Sequence, residues 1–271
     1  MKLFCFFYYS ANGDQWLHND EWLKTNTPST WYGITVTDGH VTSIDLCSNN
    51  LSGKLSGELS ELTHLEDLFL YNNSLSGEIP NDLCYNTSLQ RIILCYNQLS
   101  GGIPQKIGNL TNLRELVLSH NNLEGQIPIS ITQLGQLEGL SLCHNQLTGS
   151  IPKSICSLKS LVFLSLADND LDGEIPCLLQ DLEKIQWIIL SNNNLSGSIP
   201  YDLGNLQSLK RLDLSNNKLI GNIPDNFIFL DNLSYLNLSN NQLSGQLPAS
   251  LEQMKSLRGL FIDNNRLSVS L

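Results

Sequence analysis

Leu113-Arg114-Glu115-Leu116-Val117-Leu118-Ser119-His120-Asn121-Asn122-Leu123-Glu124-Gly125-Gln126-Ile127-Pro128 is one copy of a frame that returns every 24 residues. The asparagine of that frame recurs at Asn49, Asn73, Asn97, Asn121, Asn145, Asn169, Asn193, Asn217, Asn241 and Asn265, without one insertion or deletion. A glycine column runs from Gly53 to Gly245 in the same steps, and eight of the nine prolines form another, from Pro80 to Pro248, with Ser56 in its first place. Each column has a physical reason. Leu116 and Leu118 alternate with period two, which puts both inward on a short strand and the residues between them outward. The Asn amide donates and accepts, so stacked copies can satisfy backbone groups at the turn that follows the strand. The glycine admits a backbone conformation closed to other residues. The proline fixes φ and ends the second extended segment. A further apolar column (Leu59, Leu83, Ile107, Ile131, Ile155, Leu179, Leu203, Phe227, Leu251) closes the core from the far side. One such unit cannot bury its own leucines, whereas ten stacked units share a continuous core. With strands about 4.8 Å apart, ten units predict a parallel sheet roughly 45 Å long.

Composition narrows the function classes. The chain has 271 residues and a net charge of −11, which speaks against nucleic acid or an anionic membrane as the partner. No apolar run reaches the length of a bilayer span. The early run Leu3-Phe4-Cys5-Phe6-Phe7-Tyr8-Tyr9 is read as the end of a capping helix in preference to a signal sequence, because no small-residue cleavage site follows it.

The phrase Leu195-Ser196-Gly197-Ser198-Ile199-Pro200 resembles the plant-type, 24-residue leucine-rich repeats of receptor-like kinase ectodomains, receptor-like proteins and polygalacturonase-inhibiting proteins. The resemblance implies an α/β solenoid: a right-handed superhelix with a parallel sheet on its concave face and 3₁₀ or short extended segments on its convex face. It divides the chain into a capping segment, 1–40, and ten repeats, 41–271, as one continuous domain without a C-terminal cap. Gly13-Asp14-Gln15-Trp16, Trp22-Leu23 and Trp31-Tyr32-Gly33-Ile34 are similar to the N-terminal cap of the same families, so Trp16, Trp22 and Trp31 are expected to cover the end of the first repeat. The cysteine pair usual in that cap is replaced by Ser29 and Val36, which weakens the secreted or cell-surface placement that the family implies.

The seven cysteines read as free thiols. Cys47, Cys95 and Cys143 share a column but stand two repeats apart, about 10 Å, too far for a disulfide. Cys84 and Cys156 stand three repeats apart, and Cys5 and Cys177 have no evident mate. His120, His144 and Asp168 occupy one column and read as solvated polar residues, not a metal site. No catalytic constellation and no cofactor motif emerges. Asn-x-Ser/Thr sequons arise mostly from the repeat frame, and the one at Asn237 falls on the expected binding face.

Columns that must be Leu, Asn, Gly or Pro carry the fold, so specificity falls to the free positions: the third, fifth, seventh and eighth of each unit, counted from its first leucine. Two groups stand out there. Phe69, Tyr71, Arg91, Ile93, Tyr96 and Val117 lie in units two to four, and Phe163, Trp187, Ile189, Arg211 and Tyr235 in units six to nine, with Gly139, Ser141, Cys143 and Ser165 between. Exposed aromatic residues and arginine are over-represented at binding hot spots. The expectation is a non-catalytic, monomeric scaffold that binds a protein or peptide on its concave face. An oligosaccharide is a further possible ligand. The alternatives are an inhibitor of a cell-wall-degrading glycosidase and an adhesive or ice-binding surface solenoid, the last requiring a regular, flat surface.

Overall fold

A computed structural model describes residues 2–176 and 181–268. Leu179 of the apolar column and Cys177 lie outside them. The chain divides into two compact units, 1–137 and 138–271.

The first unit opens with a helix, Lys2–Ser10, and two 3₁₀ turns, Gly13–Gln15 and Pro28–Thr30. An antiparallel pair, Ile34–Thr37 and His40–Asp45, leads into the repeats. Strands Asp67–Phe69, Arg91–Ile93 and Glu115–Val117 then add in parallel, each in 24-residue register: Asp67 pairs with Arg91 and Arg91 with Glu115. In the second unit Gly139–Ser141, Phe163–Ser165, Trp187–Ile189, Arg211–Asp213, Tyr235–Asn237 and Gly259–Phe261 do the same. Further parallel strands built around the glycine column form a second layer, for example Ser74–Glu78 on Gln98–Gly101 and Gln242–Gln246 on Arg266–Ser268. Glycines of that column have φ between 70° and 89°. At Gly53 a Cβ would also lie 2.2 Å from the Ser10 carbonyl oxygen, so this glycine lets the first repeat seat the helix end.

Prolines start the third side of each coil. Pro80, Pro128, Pro152, Pro200, Pro224 and Pro248 each hold φ between −55° and −66° immediately before a five-residue 3₁₀ turn, and the amide of the third turn residue returns to the proline carbonyl, as Leu83 to Pro80 at 3.1 Å. The missing N–H costs nothing there, and the fixed φ sets the entry. Inward leucines and isoleucines of the main sheet, and the described members of the far-side column, are at most 3% exposed through Leu251. Leu260, inward in the last strand, is 37% exposed.

The asparagine column does what its chemistry allows. Asn121 donates to the carbonyls of Leu94, Leu118 and Ser119 at 3.0, 3.1 and 3.3 Å, and its Oδ1 accepts the Leu99 amide at 2.9 Å. It thus joins its own unit to the preceding one. Asn73, Asn97, Asn169, Asn193, Asn217, Asn241 and Asn265 repeat the pattern, and Asn49 instead ties the first unit to His18 of the cap.

Trp16, Trp22 and Trp31 are 6%, 3% and 2% exposed, which puts them inside the cap. Trp22 meets Phe4, Trp16 and Trp31 at ring-centroid distances of 5.9, 4.9 and 5.1 Å, and the three indole N–H groups reach Ala11, Tyr32 and Thr25. The early aromatic run is therefore the cap's helix, with Phe4, Phe7 and Tyr8 turned inward. None of the six described cysteines is in a disulfide. Burial pushes the thiol of Cys47 up to about 12 and that of Cys84 up to about 11.

Candidate ligand-binding face

Strand pleating turns the third and fifth position of each unit to the solvent face of the main sheet. In the first unit this places Phe69, Ile93 and Val117 side by side, all half-buried, because they are register partners. Arg91 stands beside them. Its Nε and Nη2 donate to both Asp67 oxygens at 2.6 and 2.7 Å, and its Cζ lies 5.0 Å from the Phe69 ring centre. The hydrogen bonds to Asp67 raise the guanidinium pKa, and Glu115 and Glu66 add to the same effect.

A second aromatic group follows the turn. Tyr71 and Tyr96 are 40% and 51% exposed and meet edge to face at 6.4 Å. Tyr96 lies flat on His120, 4.0 Å between centres. The eighth position is left-handed in every unit, with φ near +55°; Asn or Asp fills it in most units, Tyr96 and His120 in two of the first. Left-handed backbone costs a bulky side chain about 1–2 kcal/mol, so Tyr96 stands where the fold itself favours asparagine. Sequence reasoning placed Tyr96 on the face but missed this backbone constraint, which the Asn and Asp of the other units could have revealed.

In the second unit the expected residues also come together. Phe163 and Trp187 are register partners with rings 6.2 Å apart, and Ile189 is half-buried on the same strand as Trp187. Arg211 lies 3.9 Å over the Tyr235 ring and donates to Asp213 at 3.3 Å. Three contributors escaped the sequence reading. Lys210 lies over the Trp187 ring at 5.7 Å; Phe261 packs on Tyr235 at 5.3 Å; Asp213, 6% exposed, receives Ser215 Oγ at 2.7 Å. Lys210 and Phe261 sit in columns that vary in every unit, and only the neighbouring ring gives them meaning. His144 and Asp168, expected as solvated, are partly exposed and stand together, Nε2 to Oδ2 at 3.4 Å.

These geometries describe repeated strand-turn coils with variable side chains on one sheet face, and the comparisons agree. The family description "Leucine rich repeat" matches residues 40–62, 64–86, 111–171, 184–206 and 207–267, and "Leucine Rich repeats (2 copies)" matches 87–130. The chain belongs to the leucine-rich-repeat family. It is similar to the ectodomain of the Arabidopsis thaliana membrane receptor kinase GASSHO1/SCHENGEN3, solved with CASPARIAN STRIP INTEGRITY FACTOR 2: 42% identity over 82% of this chain and 27% of that one, TM-score 0.81. It is also similar to the Arabidopsis receptor kinase HAESA, solved with the peptide hormone IDA and the co-receptor SERK1, at 34% identity over 92% of this chain and 50% of that one, TM-score 0.72. A plant ice-binding protein matches at 26% identity, covering 98% of this chain and 86% of that one, with a TM-score of 0.82. The chain thus spans about a quarter to a half of the receptor chains that it matches. No curated protein matches it. No described helix is long and apolar enough to cross a membrane.

Proposed function

We propose that the chain is a non-catalytic recognition scaffold that binds a peptide or a protein loop on the solvent face of its main sheet. The carrying observation is the second unit's row of Phe163, Trp187, Arg211 and Tyr235: two contacting pairs, Phe163 with Trp187 and Arg211 with Tyr235, on register-paired strands, half-exposed, at positions where the repeat frame demands nothing. Rings held this way lose little entropy when a ligand arrives, and Trp, Tyr and Arg are the side chains that most often dominate binding energy. Phe69, Tyr71, Arg91, Ile93, Tyr96 and Val117 are a second contact group within the first unit. That relatives of 42% and 34% identity were solved with such ligands supports the same reading. The scaffold is proposed to act as a monomer, and an oligosaccharide is the alternative ligand for the same face.

The ice-binding relative offers a rival use of the same fold. A regular surface would be needed, and the second-layer strands instead mix Lys54, Glu78, Glu124, Asp170 and Asp172 with their serines, so this face favours the recognition reading. Twelve-residue peptides selected on the intact chain from a random display library provide the test. Trp187→Ala and Arg211→Ala should each weaken the selected peptides by about 2 kcal/mol, roughly 30-fold. Ile129→Ser, on an exposed 3₁₀ turn, should leave them unchanged. Loss in the control with retention in both site variants would place binding elsewhere.

A further inference from the structure

The two aromatic groups differ in charge, and the difference bears on what each can hold. In the first unit Arg91 is spent: both Asp67 oxygens receive it, with Glu66 and Glu115 close by. In the second unit the balance reverses. Lys210 and Arg258 are exposed, and neither has a carboxylate partner among the described residues. They share a column, linked through Ser234: the Ser234 amide donates to Lys210 O and the Arg258 amide to Ser234 O. Arg211 beside them has a single carboxylate, Asp213, which is nearly buried and also receives the Ser215 amide and hydroxyl at 3.2 and 2.7 Å. The Arg211 Nε is buried without any hydrogen-bond partner. Three cations thus stand on neighbouring strands and only one of them, Arg211, has a carboxylate partner among the described residues, in a chain whose net charge is −11.

We infer that this patch takes an acidic peptide segment in extended form, an inference that rests on the proposed recognition function. Carboxylate side chains of the peptide would lie over Lys210, Arg211 and Arg258, with an apolar side chain against Trp187 and Tyr235. Charge complementarity selects the class: an arginine donor left unpaired in a low-dielectric setting costs free energy that an incoming carboxylate recovers, and it favours that ligand over a neutral one. Spacing selects the form. Lys210 and Arg258 are two strands apart, about 10 Å, and in an extended polyproline-II segment, with three residues per turn and about 3.1 Å rise, residues i and i+3 share one face at about that spacing. The peptide therefore carries acidic residues three positions apart.

The experiment is the library selection, run on the wild-type chain and on the Lys210→Glu/Arg258→Glu double variant, both of which are surface substitutions and should melt alike. Selected peptides should be enriched in Asp and Glu at i and i+3. They should bind the double variant at least about tenfold more weakly, and lose a similar factor between 50 and 300 mM salt. Neutral or basic winners overturn the acidic class, as do acidic winners that ignore the double variant. If such winners still need Trp187, the recognition face stands and only its ligand class falls. Winners that ignore Trp187, Arg211 and the charge reversal alike overturn both readings, and so does the absence of any winner. A polygalacturonate oligomer that binds in a Lys210- and Arg258-dependent way while no peptide is enriched would assign the patch to a polyanionic sugar and overturn the peptide.

Discussion

Asn121 shows how much one side chain carries in this architecture. Four hydrogen bonds converge on a group that is 8% exposed, and all four partners are backbone atoms. Replacing it with alanine strands the Leu99 amide, whereas the Leu94 carbonyl still receives Asn97 at 3.1 Å. At about 1–3 kcal/mol for a buried polar group left unpaired, Asn121→Ala should cost about 1–3 kcal/mol, read as a lower urea midpoint at an unchanged slope. This role was legible, because an amide repeated every 24 residues after a strand has little else to do. The left-handed eighth position was not, since Tyr96 and the histidines hide the Asn and Asp that signal it. The thiols give a second residue-scale prediction. Burial raises Cys84 to about 11, so the folded chain keeps it protonated between the ordinary thiol range and that value. Iodoacetamide at pH 8 should therefore spare Cys84, which is 1% exposed, and label it only on unfolding. The sign for stability follows: the unfolded thiol ionises first as pH rises, so this contribution is intact below about pH 8.5 and fades toward 11.

Among the elements, the cap is the one whose sequence reading depended on chemistry beyond the repeat. The repeat frame has no place for Trp16, Trp22 and Trp31, and the need to close a solenoid end explains why they are large and apolar. All three are buried, and without cysteines at Ser29 and Val36 the cap is held by packing and by hydrogen bonds such as those of Asn49 with His18. Trp22 is central: five aromatic rings surround it, and its indole N–H donates to the Tyr32 carbonyl at 2.8 Å. Trp22→Ala should cost about 3–5 kcal/mol in the first unit. Trp22→Phe keeps most of the contacts and loses the hydrogen bond, for about 1 kcal/mol plus a small cavity term. Amide exchange should show the loss at Ile34–Asp45 first, because the cap seats on that end; uniform acceleration across the repeats would deny the cap a local role.

At the scale of the whole molecule, the fold was readable and the ligand was not, for one physical reason. Columns repeat because every coil solves the same packing problem, whereas the sheet's solvent face is free of that problem. Position alone therefore marked Arg91 and Arg211 as equals. Their neighbours made one a closed ion pair with Asp67 and the other an under-satisfied donor beside Asp213, and such pairings appear only when side chains are placed. The same logic yields a prediction about length. If stability is close to a sum of unit and interface contributions, removing residues 89–112 joins Ser88 to Leu113 in phase and deletes one whole coil. The Leu75 amide and the Leu70 carbonyl lose Asn97 and regain the same partner at Asn121, since both asparagines occupy one place in the frame. The shortened chain should keep its β-rich circular dichroism and a cooperative, somewhat lower melt. Removing only residues 89–100 takes away a strand and its asparagine while leaving the following proline turn, so a coil without inward leucines is forced between two that need them. That chain should lose cooperative melting and bind a hydrophobic dye. Equal tolerance of both deletions would mean that the coils are held by something other than the in-phase ladder, and equal failure would mean that they do not fold as separable units.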